Sequence, residues 1–161
     1  MQQNEYDVVV VKVIDGDTVD VDIDLGFGVT LRDERVRIMG IDTPESRTRD
    51  KVEDLFGEAA KARLKELMKD GAKLITTENK HGEDMKGKFG RILGDFKVDY
   101  NGETKLVTDI LVEEGHAVAY FGGSKKEITM KHLANREKLL REEVISRSEY
   151  DKAVQLMENK K

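Results

Sequence analysis

The stretch Thr18–Gly26 reads TVDVDIDLG, and its alternation of apolar and acidic residues predicts a β-strand. The apolar side chains would point to one face of a sheet and the three aspartates to the other. Three aspartates on one face allow a metal-site hypothesis. The solvent-facing side of an antiparallel strand produces the same pattern, and it is the more common origin.

The sequence on either side of this strand extends it into a sheet. Residues 7–15, DVVVVKVID, precede it as a second apolar-rich strand. The GFG at residues 26–28 marks a turn, after which VTLRDERVRIMGI continues as a strand to residue 41. Residues 7–41 are therefore predicted to form a three-stranded antiparallel meander.

The remainder of the chain mixes helices with two further strands. Apolar residues recur at helical spacing over residues 52–70, and Gly71 supplies a helix stop. Two more strands are predicted over residues 72–80 and 89–98, and a short helix ends at Gly115. A long charged helix follows over residues 125–145, and SEYD at Ser148–Asp151 has the spacing of a capping box that begins a final helix. In the long helix we expect four residues to face the core: Met130, Leu133, Leu140 and Val144.

These elements indicate an α+β fold with a mainly β core. Five short strands interrupted and followed by helices are typical of a five-stranded Greek-key barrel of the OB-fold type. We expect three helices around the barrel plus an extra C-terminal helix. Residues 1–145 would form the domain, and residues 146–161 a helical extension of it.

Composition narrows the possible functions. The 161 residues include 38% charged residues and no cysteine, so neither disulfides nor thiolate metal sites are available. No apolar run approaches the length of a membrane span, and the N-terminus lacks a signal-peptide pattern. The chain as written would be cytoplasmic, or secreted if a leader was removed. The net charge of −5 argues against nucleic-acid binding by bulk electrostatics, so a phosphate ligand would need a local basic patch or a metal ion.

Two acidic motifs stand at predicted strand ends. In IDGDTV, Gly16 could let the chain kink and bring Asp17 inward, although Asp-Gly is also a common hairpin turn. In VRIMGIDTPES, residues 36–46, an apolar strand runs into Asp42. Alternatively, Thr43 could cap a helix that begins with Pro44 and carries Glu45 in its first turn.

Taken together, the two motifs suggest a site for a hard divalent cation. Two carboxylates and a free backbone carbonyl form an oxygen-only ligand set. The three histidines, His81, His116 and His132, are scattered along the sequence, so a zinc site is disfavoured and each is expected to be a surface or packing residue.

Two arginines could bind a phosphate beside this cation. Arg37 lies on the strand that leads to Asp42, and Arg91 begins the last predicted strand. A guanidinium grips two phosphate oxygens at once, but either arginine could instead face solvent. In an ideal strand Arg37 and Asp42 would point to opposite faces, so their convergence requires a distortion, which we predict at Gly40.

The order of VIDGDTV, RVRIMGIDTPE, KFGR and LVEEGHAVAY resembles the staphylococcal (micrococcal) nuclease family, the SNase-like domains, over roughly residues 7–145. The resemblance implies that calcium is the cofactor and that Asp17, Asp42 and the carbonyl of Thr43 bind it, with Asp15 behind them. It also implies that Arg37 and Arg91 bind the scissile phosphate and that Glu45 is the general base. Lys88, Phe89 and Tyr120 would contact the nucleotide.

Some positions depart from the family pattern. Gly87 replaces an aspartate, Phe89 lacks a tyrosine hydroxyl, and Phe121-Gly122 does not reproduce a second stacking tyrosine. These changes would alter base preference and affinity, and they leave the metal and phosphate residues in place. A basic patch for nucleic acid could come from Arg47, Arg49, Lys51, Lys80, Lys86 and Lys88, although loop cations are often simply solvated.

The resemblance implies a monomeric, calcium-dependent endonuclease of the thermonuclease type. It would hydrolyse phosphodiester bonds of DNA and RNA with little sequence specificity and leave 3′-phosphate ends. The alternative is a non-catalytic SNase-like module that binds nucleic acid or protein. The extra C-terminal helix also allows a structural role in a larger assembly.

Overall fold

The computed structural model describes residues 3–77, 90–120 and 124–158. It is an α+β fold in which most strands belong to one six-stranded sheet. None of the helices in these ranges is long and apolar enough to cross a bilayer. The strands are β1 (Gln3–Asp15), β2 (Thr18–Gly26), β3 (Val29–Ile38), β4 (Ile41–Asp42), β5 (Ala72–Thr77), β6 (Ile92–Tyr100), β7 (Glu103–Leu106) and β8 (Val118–Ala119). The helices are α1 (Lys51–Met68), α2 (Val107–Glu114), α3 (Lys125–Arg141) and α4 (Arg147–Glu158).

The first three strands form the predicted meander, and two of the three aspartates on the acidic face of β2 pair with arginines of β3 rather than being simply solvated. Asp20 is buried and accepts two hydrogen bonds from Arg35, at 2.9 and 3.2 Å. Asp22 forms an ion pair with Arg32 at 3.1 Å. The described residues contain no group of three or more His, Asp or Glu side chains arranged for a metal ion, so these aspartates do not form one.

The barrel closes because β3, the first strand in the order of the sheet, also pairs with β6 near the other end. The first half of β1 pairs with β5 and its second half with β2, and register shifts after Val10 and Val13 bend the strand between them. β6 pairs antiparallel with β5 and parallel with β3. This arrangement confirms the OB-fold prediction. The main sheet has one strand more than the five predicted, because β7 pairs with β6 at the edge of the sheet. The short strands β4 and β8 form a separate two-stranded sheet.

The helices number four in the described part of the chain, as expected; α1 begins within one residue of its predicted start, whereas α4 begins earlier than predicted. α1 begins at Lys51 with Asp50 as its N-cap, so the alternative of a helix that starts at Thr43-Pro44 is wrong. α4 begins at Arg147, because the Ser146 hydroxyl caps it by accepting a hydrogen bond from the N–H of Glu149 at 3.1 Å. The N-cap therefore lies two residues before Ser148, the first residue of the SEYD motif.

A second, smaller core lies between α1, α3 and α4. Phe56, Leu139 and Ile145 are buried there, and the ring of Tyr150 packs edge-on against Phe56. The predicted inner face of α3 is wrong, apart from the half-buried Leu140. The buried position is Leu139, whereas three of the predicted residues are exposed: Met130, Leu133 and Val144.

Candidate active site

The ends of several strands and the loop after β4 surround one polar pocket of about 340 Å³. It contains six of the residues singled out from the sequence for metal, phosphate or proton transfer: Asp17, Arg37, Asp42, Thr43, Glu45 and Arg91. The rest of its lining is Asp15, Thr18, Pro44 and Ser46. Asp17 and Arg91 are 74 positions apart in the chain and yet share one pocket, because the barrel brings the ends of their strands together.

Asp17 reaches the pocket from the two-residue hairpin loop between β1 and β2. Both interpretations of IDGDTV are therefore correct, since Gly16–Asp17 is a hairpin turn and Asp17 also lines the pocket. Gly16 is needed for space, because a Cβ there would lie 2.8 Å from the Cβ of Ala60 on α1. The Thr18 hydroxyl donates to Asp17 Oδ1 at 2.9 Å and holds the carboxylate in place.

Arg37 and Asp42 converge through the turn that separates β3 from β4. Gly40 has a φ of +81°, a left-handed conformation that favours glycine, which confirms the predicted distortion. Arg37 Nη2 lies 3.3 Å from Asp17 Oδ2 and donates to the carbonyl of Ile41 at 3.2 Å. The guanidinium therefore connects Asp17, in the first acidic motif, to β4, the strand that carries Asp42.

The loop that carries Glu45 is held against the first two turns of α1. The N–H of Glu45 donates to Glu53 Oε1 at 3.4 Å, and the N–H of Arg47 donates to Asp54. At Gly57 the helix touches the loop directly, since a Cβ there would lie 2.3 Å from the carbonyl oxygen of Glu45. Contact with α1 thus sets the position of the Glu45 backbone, while its side chain is exposed and lines the pocket.

The chemistry of the lining fits a hard divalent cation. Its four carboxylates against two guanidinium groups give the pocket a formal charge of −2, which a divalent ion would neutralise. Carboxylate and carbonyl oxygens are the ligands that calcium prefers, and its flexible coordination leaves positions for water and substrate oxygens. Asp17, Asp42 and the carbonyl of Thr43 would hold such an ion.

Sequence reasoning missed one residue at this site, His132. Its Nε2 lies 2.6 Å from Asp42 Oδ2, although the two residues are 90 positions apart. The expected packing role is correct for His116, which is buried. It is not correct for His132, which contacts Asp42. The sequence carries one signal for this contact, the spacing of seven residues between His132 and the buried Leu139. That spacing places both side chains on the same face of α3.

Several predicted substrate residues lie away from the pocket or outside the described residues. Tyr120 follows β8 and is 45% exposed, and it does not line the pocket. Lys88 and Phe89, with Gly87, Lys80, Lys86, His81, Phe121 and Gly122, lie outside the described ranges. Of the predicted basic patch, Arg47 lines a neighbouring depression of about 740 Å³ that shares Arg91 with the pocket.

Comparison with known proteins identifies the family. The family described as "Staphylococcal nuclease homologue" matches residues 35–146. Endonuclease YhcR of Bacillus subtilis (strain 168) is 29% identical over 124 residues, which cover 74% of this chain and 9% of that protein. This chain thus spans a small part of the relative's length. The matched range includes Arg37, Asp42, Glu45 and Arg91, and the chain belongs to the family of staphylococcal nuclease homologues.

Proposed function

We propose that this chain is a calcium-dependent endonuclease that hydrolyses DNA and RNA with little sequence specificity and leaves 3′-phosphate ends. The observation that supports the proposal is the single pocket that gathers two carboxylates for a cation, two arginines and Glu45. A nuclease-like role also follows from the family. We assign the activity to residues 1–145, with residues 146–161 as a helical extension of the same domain.

The two arginines would supply the phosphate site. A phosphodiester is anionic, and its five-coordinate transition state gathers more negative charge on the equatorial oxygens. Positive groups fixed before the reaction stabilise that charge without reorganisation, which is usually the largest catalytic term. Arg37 is fixed in this way by its contacts with Asp17 and Ile41. Arg91 precedes β6 and lines the same pocket.

Glu45 would take a proton from the attacking water. The water oxygen forms a bond to phosphorus, and the 5′ oxygen leaves with the electron pair of the broken bond and takes a proton from solvent to become a 5′-hydroxyl. The phosphate stays on the 3′ side. Proton transfer of this kind contributes typically 10²–10⁴-fold to the rate. Calcium bound by Asp17, Asp42 and the Thr43 carbonyl would supply further positive charge at the phosphate.

The proposal is tested by incubating plasmid DNA and RNA with the protein in calcium, in magnesium and in EGTA. We expect cleavage in calcium and loss of cleavage in EGTA. The products should carry 5′-hydroxyl ends, which a polynucleotide kinase phosphorylates without prior phosphatase treatment. A folded protein that cleaves neither polymer in any buffer would instead be the non-catalytic binding module. Cleavage that persists in EGTA would contradict calcium dependence.

Arginine variants test the phosphate site. Arg37→Ala and Arg91→Ala should each lower kcat by about 10²–10³-fold, which is the usual effect of removing one group that stabilises the transition state. Arg32→Ala is the matched control, because Arg32 lies on the same strand as Arg37, is 78% exposed and pairs with Asp22 outside the pocket. A loss of only a few-fold from Arg37→Ala, in a folded protein, would remove Arg37 from this role.

A further inference from the structure

We infer that His132 of α3 is a positioning residue for the metal ligand Asp42, so that the C-terminal part of the chain completes the metal site. The inference rests on the proposed function, because it takes Asp42 as a ligand. It adds a residue that contacts the ligand rather than the ion. The observation behind it is the 2.6 Å contact between His132 Nε2 and Asp42 Oδ2.

The chemistry of this contact defines its direction. A carboxylate oxygen accepts hydrogen bonds, so Nε2 of His132 donates. The His132 side chain is 16% exposed and that of Asp42 is 43% exposed, so the imidazole shields one side of a carboxylate that is otherwise open. Asp42 Oδ1 has no hydrogen-bond partner within the described ranges, which leaves this oxygen available for a cation in the pocket.

The helix that carries the imidazole is held by other contacts on the same face of α3. Asn135 Nδ2 donates to the carbonyl of Ala117 at 3.2 Å. The guanidinium carbon of Arg136 lies 5.4 Å from the centre of the Phe56 ring, and Leu139 is buried beside it. Three anchors within two turns after His132 fix the helix, and with it the backbone that carries the imidazole.

The carboxylate is fixed from the other side by backbone pairing. Asp42 pairs with Val118 in the two-stranded sheet of β4 and β8, and the N–H of Tyr120 donates to the carbonyl of Gly40 at 2.9 Å. The backbone of Asp42 and the helix that carries His132 are therefore both held in place. The hydrogen bond between them selects one orientation of a half-exposed carboxylate, and loss of such a partner typically weakens metal affinity 10–100-fold.

The experiment measures calcium affinity by isothermal titration calorimetry in the absence of nucleic acid. We expect His132→Ala to bind calcium 10–100-fold more weakly than the wild type. His132→Gln should recover part of the affinity, because its side-chain amide can also donate to a carboxylate. Cleavage by His132→Ala should be low at limiting calcium and return towards the wild-type rate when calcium is saturating.

Asn135→Ala is the matched control. It removes a hydrogen bond that anchors α3 but does not touch Asp42, so its calcium affinity should equal that of the wild type. An equal loss of affinity in Asn135→Ala would assign the effect to helix docking and overturn the inference. If His132→Ala does not fold, His132→Leu and His132→Gln provide the comparison, since only glutamine keeps a donor.

The remaining outcomes also decide the question. Unchanged calcium affinity in His132→Ala would overturn the inference while leaving calcium dependence intact. Tighter binding would show that the imidazole competes with the ion for Oδ2, and would also overturn it. A wild-type protein that binds no calcium would contradict the metal in the proposed function and this inference together.

Discussion

Gly57→Ala should lower the rate of cleavage by displacing the loop that carries Glu45, and it should have a smaller effect on the stability of the fold. Gly57 is buried on α1, and an added Cβ would lie 2.3 Å from the carbonyl oxygen of Glu45 and 2.6 Å from the backbone nitrogen of Ser46. These are backbone atoms, so a rotamer change is insufficient to relieve the clash. To restore an ordinary contact of 3.4 Å the loop must retreat by about 1 Å.

The size of the effect on catalysis follows from that displacement. A shift of about 1 Å in a catalytic group can cost on the order of 10²-fold in rate, and we expect kcat to fall by about this factor. The effect on stability should be smaller. Alanine is favoured over glycine in a helix by about 1 kcal/mol, which offsets part of the roughly 1–3 kcal/mol that overpacking costs.

The assay is single-turnover cleavage of a labelled oligonucleotide at saturating calcium, together with urea unfolding. The control is Glu58→Ala, which alters the next residue of α1 on its exposed side and should leave kcat within a few-fold of the wild type. If Gly57→Ala is folded and cleaves at the wild-type rate, either α1 does not set the position of the loop or Glu45 is not the base.

Two further predictions concern stability. Burial lowers the pKa of His116 below its ordinary value of 6.5, so the unfolded state binds a proton more readily than the folded state, and the free energy of unfolding should fall as the pH drops below about 6.5. Urea unfolding between pH 8 and pH 5 measures this, and His116→Gln should flatten the profile; an equal slope in both proteins would assign the loss to other groups. Phe56→Ala should lower the free energy of unfolding by about 3–5 kcal/mol, because the ring is fully buried, whereas Phe27→Ala at an exposed position should change it by less than about 0.5 kcal/mol. Similar losses in the two phenylalanine variants would contradict the packing of α1, α3 and α4.

The barrel could be predicted from the sequence where the periodicity was strong. The alternation in β2 placed Val19, Val21, Ile23 and Leu25 on one face of the sheet, and the structure buries the first three but leaves Leu25 exposed. The periodicity of α3 was weaker, because its seventeen residues carry few apolar side chains, and the inner face was assigned to the wrong residues. The exposed Met130 and Leu133 are as apolar as the buried Leu139, so composition could not distinguish them.

The sequence by itself determined the local parts of the site: the DGD turn, the strand that ends at Asp42, and Gly40, whose freedom of φ lets Arg37 and Asp42 converge. These depend on a few neighbouring residues and on the conformations that their backbones allow. The tertiary structure alone decided that α1 holds the Glu45 loop through Gly57 and that His132 reaches Asp42. Those contacts join segments far apart in the chain, and their existence depends on how helices pack on the barrel, which no short stretch of residues encodes.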